Sequence, residues 1–238
     1  MNVDRVFQTL NGHEVAYLVI GGMNFLLRHA PLLTYDIDVW IEDSPENLRR
    51  CEKALAELQA EWGPTEQDWG PVAERSPGWL RGQTVFCLNS PFGAIDVFRS
   101  VGGLEPWAPC RARAAGSQTA AGAAFWGLSD EDMLKCQIAL PESERAVGRS
   151  LRDRQPASRS AAATLQQPAM SDPSFDELKR REEQKREKCW DPLQRWLVIQ
   201  EMITWAESLP TVRRNTPARC LEFERAKLAG MRDKGSGD

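Results

Sequence analysis

Three aspartates occur in two segments with strand character, and their spacing suits metal-ion chemistry. In YDIDVWI, Asp36 and Asp38 alternate with aliphatic residues, so a β-strand would point both carboxylates to one face. Asp96 lies in AIDVF, a second such segment. Mg²⁺ prefers oxygen ligands, and paired divalent ions stabilise displacement at phosphorus. The sequence therefore predicts a site for two Mg²⁺ ions, provided that the two strands lie side by side.

A pair of glycines precedes the first acidic strand, at the end of VAYLVIGG. This segment predicts a short buried strand that is followed directly by a helix over MNFLLRH. Gly21 and Gly22 allow a backbone to approach a polyphosphate closely, and the first turn of a helix presents unpaired N–H groups. We therefore expect a nucleoside triphosphate to bind at this turn. Lys135, on a later helix, is a further candidate contact to phosphate.

Each of these features also has a simpler structural interpretation. A lone pair of alternating acids is commonly solvated, and Asp96 alone could cap a strand end. Lys135 could be an ordinary surface lysine on an amphipathic helix. Trp40 shares the acidic face and could stack on a base, but aromatic strand residues more often serve as packing groups. The combination of the glycine turn with three strand-borne acids favours the functional interpretation.

The surrounding pattern predicts an α/β (α+β) fold, with a small mixed sheet flanked by helices. Apolar spacing predicts helices over DRVFQTL, after Ser44 and after Ser129. The segments TVFCLNS and AIDVFRSV are expected to form a hairpin, and residues 63–82, rich in Gly, Pro and Trp, a loop.

Three regions are expected along the chain. Residues 1–140 are expected to form a front domain that contains the glycine turn and the three acids, residues 141–173 a flexible linker that is poor in large apolar residues, and residues 174–238 a helical tail. Met170 opens a segment typical of a protein start, so the tail is interpreted as a small second protein fused to the first.

The tail has two distinct helical patterns. The run from Lys179 to Lys188 places acids and bases three and four residues apart, which is typical of a helix face in water. The next segment carries an apolar stripe. We expect three tryptophans to anchor packing against the front domain or a partner: Trp190 just before this segment, and Trp196 and Trp205 within it.

Composition narrows the classes of function. The chain of 238 residues is 42% hydrophobic and 27% charged, as in ordinary folded water-soluble proteins. Its net charge of −4, with 11 basic against 18 acidic residues in positions 1–140, argues against a protein that grips duplex DNA. It has no signal peptide pattern and no run near the roughly 20 apolar residues of a membrane helix, so we expect a cytoplasmic protein without a membrane partner. Six scattered cysteines and two histidines argue against a zinc site or disulfide framework.

The segment LVIGGMNFLLRHAPLLTYDIDVWI resembles the glycine turn and acidic strand of the DNA polymerase β-like nucleotidyltransferase superfamily. AIDVF resembles the strand that carries the third carboxylate of that family. Thr34, two residues before Asp36, is similar to a feature of the minimal and AbiEii-toxin-like branch. The resemblance covers about residues 15–140.

This resemblance implies an enzyme that moves a nucleoside monophosphate from ATP or another triphosphate to a hydroxyl of a protein, an RNA or a small molecule. Its metal ligands would be Asp36, Asp38 and Asp96, with Asp96 also helping to deprotonate the acceptor, and its phosphate contacts would be Gly21 and Gly22. It also implies a component of a toxin–antitoxin system, with a cognate toxin or antitoxin as partner.

Two departures from the family pattern qualify this expectation. Gly22 stands where many members have serine, and the basic and acidic motif that often follows the domain is present only in weak form, as GRSLRDRQ. The alternative is a catalytically silent member that acts as a binding module or antitoxin partner. A kinase is disfavoured because the chain contains no P-loop motif.

Overall fold

A six-stranded mixed sheet flanked by helices forms the centre of the protein, as the sequence predicted. The computed structural model describes residues 1–29, 34, 36–119, 121–139 and 173–208. The elements in chain order are α1 Val3–Gly12, β1 Tyr17–Val19, α2 Gly21–Arg28, β2 Asp36–Ile41, α3 Pro45–Glu57, β3 Glu61–Trp62, β4 Gly70–Pro71, β5 Val85–Leu88, β6 Ala94–Phe98, α4 Trp107–Arg113, β7 Ala115–Gln118, β8 Ala124–Gly127, α5 Asp130–Ala139, α6 Pro173–Cys189 and α7 Pro192–Ser208.

The two acidic strands are neighbours in the middle of this sheet, whose strand order is β5-β6-β2-β1-β8-β7. Strand β2 pairs in parallel with β6, and Asp38 lies directly opposite Asp96. On its other side β2 pairs antiparallel with β1, while β5 and β6 form the predicted antiparallel hairpin. The condition under which the three acids would meet is therefore satisfied.

Local sequence signals explain where the helices around the site begin. Helix α3 starts as predicted, because the Ser44 hydroxyl accepts a hydrogen bond from the Asn47 N–H (3.3 Å) and Pro45 occupies the first turn. Helix α2 begins at Gly21 itself, immediately after the extended residue Ile20. The glycine pair thus forms the first turn of α2 and does not precede it.

Apolar side chains on both faces of the sheet form the core. Helices α1 and α3 pack on one face, where Phe7, Leu10, Leu55 and Ile95 are fully buried. The segment predicted as the loop 63–82 contains the short strand β4 and two 3-10 turns. Its Trp79 stacks on Trp62, with ring centroids 5.2 Å apart, and this contact extends the core.

Helix α4 and the hairpin of β7 and β8 had no expectation from the sequence. Both strands are short, and β7 consists of Ala-Gly-Ser-Gln, which lacks the β-branched and aromatic residues typical of strands. Strand β8 adds to β1 in parallel through Val19 and Gly127. The burial of Phe125 against Phe7, at a centroid distance of 5.2 Å, holds the hairpin on the core.

The tail is helical where the structure describes it, in α6 and α7. The predicted linker 141–173 lies outside the described residues except for Pro173. The prediction that Lys179 to Lys188 form a solvated face is wrong, because α6 buries charged side chains against the sheet. Trp190 is buried as expected, but Trp196 on α7 is 58% exposed and anchors no packing within the described chain. The origin of the tail as a fused protein stays a prediction.

None of the helices that the structure describes has both the length and the apolar character needed to cross a bilayer.

Candidate metal and nucleotide site

The three predicted acids converge on one side of the sheet. Each of Asp36, Asp38 and Asp96 places a carboxylate oxygen within 4.8 Å of those of the other two. The alternation of β2 brings the first two to the same face, and the parallel pairing with β6 brings the third beside them. Thr34 Oγ1 donates to Asp36 Oδ1 (3.1 Å), which fixes that carboxylate. Carboxylates this close repel one another unless a cation or a proton lies between them.

Burial intensifies that repulsion. Asp96 is fully buried and Asp38 is 7% exposed, whereas Asp36 is more open. Burial, followed by the charge of Asp36, raises the pKa of Asp38 well above its ordinary value. Burial likewise raises the pKa of Asp96 to about 6, although the Arg186 guanidinium opposes this shift. Asp96 Oδ2 is buried and has no hydrogen-bond partner among the described residues, so a coordinating cation would satisfy an oxygen that otherwise lacks a contact.

Gly21 adapts the backbone to the triad. Its φ of +61° lies in the left-handed region that glycine adopts without strain. A Cβ at this position would overlap Asp38 Oδ2 and lie 2.9 Å from Asp38 Cγ. The first turn of α2, with Gly21 and Gly22, therefore lies directly against the acids, where its N–H groups can receive phosphate oxygens. The residues present fit both a divalent cation and a polyphosphate.

Helix α6 contributes basic side chains that sequence reasoning did not connect with the site. Arg186 forms a buried ion pair with Asp96, and its Nη2 lies 3.7 Å from Asp36 Oδ2. Lys179 on the same helix face is also close: burial lowers its pKa, but the charges of Asp38 and Asp96 raise it further, and the net shift is upward. No short-range motif could have indicated this contact, since 90 residues separate Arg186 from Asp96.

Two other residues considered from the sequence lie in separate surroundings. Lys135 Nζ forms ion pairs with Glu131 (3.0 Å) and Asp132 (3.3 Å), and no ion pair joins it to the triad within the described part of the chain. Its contact with phosphate stays a prediction. Trp40 is 3% exposed and donates from Nε1 to the Arg99 carbonyl (3.4 Å), so it is a packing residue in this structure.

No family model matches the chain, and no curated protein sequence matches it. A solved structure of a proposed nucleotidyltransferase from Thermotoga maritima is similar over 62% of this chain and 86% of its own, with 18% sequence identity and a TM-score of 0.36. Similarity at this level assigns no activity to this chain, and membership of the AbiEii-toxin-like branch stays a prediction.

Proposed function

We propose that the protein is a Mg²⁺-dependent nucleotidyltransferase. It would transfer a nucleoside monophosphate from ATP or another triphosphate to a hydroxyl of a protein, an RNA or a small molecule. One observation carries the proposal: three carboxylates on adjacent parallel strands converge within 4.8 Å of one another, directly against the positive-φ glycine that opens α2. A cognate toxin or antitoxin is the proposed macromolecular partner.

Each element of the site has a role in this reaction. Asp36, Asp38 and Asp96 would hold the ions, and bound magnesium would neutralise the triphosphate charge. Gly21 and Gly22 would direct backbone N–H groups of α2 to the phosphates. The acceptor oxygen forms a bond to the α-phosphorus, the bond from that phosphorus to the bridging oxygen breaks, and pyrophosphate leaves with the electron pair. Asp96 is the proposed acceptor of the hydroxyl proton.

Labelled triphosphates provide the direct test. The full chain and the Arg186→Ala variant would be incubated with Mg²⁺, a cell lysate and each nucleoside triphosphate, labelled at either the α- or the γ-phosphate. We expect α-label on an acceptor, no γ-label, and loss of transfer in Asp38→Asn. The matched control Asp68→Asn removes an exposed acid outside the triad and should transfer normally. Absence of α-label from every triphosphate, in both the wild type and Arg186→Ala, would contradict the proposal.

A catalytically silent binding module is the second candidate. The observation that favours it is the charge balance of the triad, because Arg186 pairs with two of its three acids and so offsets part of their negative charge. Such a module would bind no divalent ion and transfer no label, yet it would keep the fold around the acids. Mn²⁺ binding to the purified wild type and to Arg186→Ala, measured by calorimetry, separates this candidate from the enzyme, because a silent module would bind no ion in either protein.

A further inference from the structure

Helix α6 (Pro173–Cys189) buries an unusual set of side chains. Three charged residues of its inner face, Glu182, Lys185 and Arg186, are at most 6% exposed, whereas Arg180 and Arg181 face solvent. Taking charges out of water is unfavourable unless each one meets a partner of opposite sign. The docking of α6 therefore depends on specific ion pairs. The partners in these pairs show which surface of the protein the helix complements.

The Arg186 guanidinium brings a positive charge to two acids of the triad. It pairs with Asp96 on β6 and lies 3.7 Å from Asp36 Oδ2 on β2, so one side chain bridges both acidic strands. Lys179, about two helical turns earlier on the same face, adds positive charge near Asp38. A divalent ion bound by the same carboxylates would be repelled by these charges, and Arg186 already contacts two of the three acids. Metal binding and this position of α6 therefore exclude each other.

Contacts away from the acids fix α6 in this position. Trp62 Nε1 donates to Glu182 Oε2 (2.7 Å), and Lys185 Nζ lies 2.6 Å from Glu182 Oε1 and 4.7 Å from the centre of the Trp62 ring. Nearer the end of the helix, Lys188 pairs with Glu66 (2.8 Å). None of these residues belongs to the acidic cluster. Their pairing is explained by docking of the helix.

We propose that α6 is an autoinhibitory helix: Arg186 substitutes for the metal ion, and α6 must leave the sheet before Mg²⁺ and the triphosphate can bind. This inference rests on the proposed function, since it concerns the regulation of that same site. It predicts a latent enzyme. The apparent affinity for the ion would equal the intrinsic affinity multiplied by the fraction of molecules in which α6 has left the sheet. A partner that binds α6 only when the helix has left the sheet would then activate the transferase.

Mn²⁺ binding to the full chain tests the competition directly. Calorimetry would compare the wild type with Arg186→Ala, which removes the competing cation, and with Arg181→Ala, which removes an exposed arginine of the same helix. We expect Arg186→Ala to bind Mn²⁺ at least about tenfold more tightly, and Arg181→Ala to match the wild type. Equal or weaker binding in Arg186→Ala would overturn the proposal, and weaker binding would indicate that Arg186 supports the site.

A buried thiol reports the position of α6 in the absence of added metal ions. Cys87 lies on β5 directly opposite Asp96 and is fully buried, and α6 packs against this strand. Release of α6 should therefore accelerate its alkylation, measured at this residue by peptide mass spectrometry. Trp62→Phe, which removes the donor to Glu182 without touching the triad, should raise both the Cys87 rate and the Mn²⁺ affinity.

The two readouts distinguish the failure of each hypothesis. Faster Cys87 alkylation in Arg186→Ala without Mn²⁺ binding in any variant would show a movable helix over a site that binds no metal, which overturns the proposed function and this inference with it. Mn²⁺ binding that is equally tight in the wild type, Arg186→Ala and Trp62→Phe would overturn autoinhibition alone and leave the transferase proposal intact.

Discussion

Replacing Gly21 with alanine introduces two separable energetic costs at the proposed site. The first is conformational, since the φ of +61° disfavours any residue with a Cβ. The second is steric, since the new methyl group would overlap Asp38 Oδ2 and lie 2.9 Å from Asp38 Cγ. Gly122 provides a matched control, because its φ is +84° and nothing lies within 4 Å of a Cβ built there. Gly122→Ala therefore has the conformational cost without the steric cost.

The expected magnitudes follow from these two contributions. A non-glycine residue in the left-handed region costs roughly 1–2 kcal/mol, and forcing a side chain into a packed interior costs roughly 1–3 kcal/mol more. Gly21→Ala should thus lower the free energy of unfolding by about 2–5 kcal/mol and Gly122→Ala by about 1–2 kcal/mol. With a urea m-value of about 2 kcal/mol per molar, the two variants should differ in unfolding midpoint by about 0.5–1.5 M.

Urea unfolding followed by circular dichroism measures this difference, and Mn²⁺ calorimetry at low urea measures its consequence for the site. Because Asp38 must shift to admit the methyl group, Gly21→Ala should lose Mn²⁺ binding even where it is fully folded, while Gly122→Ala keeps it. Both measurements would be made with variants that also carry Arg186→Ala, so that docked α6 does not prevent Mn²⁺ binding. Equal midpoints for the two glycine variants, together with retained Mn²⁺ binding in Gly21→Ala, would refute the close fit between this turn and the triad.

Two further predictions concern the scaffold. Asn47→Ala should destabilise the chain by roughly 2–4 kcal/mol in urea unfolding, because the side chain makes three hydrogen bonds of 2.7–2.9 Å to the backbone of Ala16 and Glu42; a loss below about 0.5 kcal/mol would contradict this role. Burial raises the pKa of Cys51 to about 12, so at pH 8 only about one thiol in 10⁴ is ionised, and iodoacetamide should modify Cys51 in urea but not in the native state. Native labelling at the rate of a free thiol would show that α3 is not packed as described.

The acidic triad was predictable because its signal is local. Alternation along β2 fixes the common face of Asp36 and Asp38 within three residues, and the hairpin that carries Asp96 is marked by a short turn between two apolar runs. Only the parallel pairing of β2 with β6 had to be assumed. The position of α2 was harder to predict from the sequence. The overlap between a Cβ at Gly21 and Asp38 depends on backbone geometry that no sequence period encodes.

The burial of α6 could not be predicted from the pattern of apolar residues. Amphipathic patterning identifies a buried helix face by its apolar residues, but the inner face of α6 carries Glu182, Lys185 and Arg186. Acids and bases at these spacings stabilise an isolated helix in water equally well, so the pattern alone favours a solvated interpretation. The deciding feature is an acidic surface formed by two strands far away in the sequence, with Asp96 of β6 lying 90 residues before Arg186, and this surface exists only after β2 and β6 have paired. A helix matched to a cation site by charge is suited to reversible docking, because a divalent ion offers the same carboxylates a competing partner.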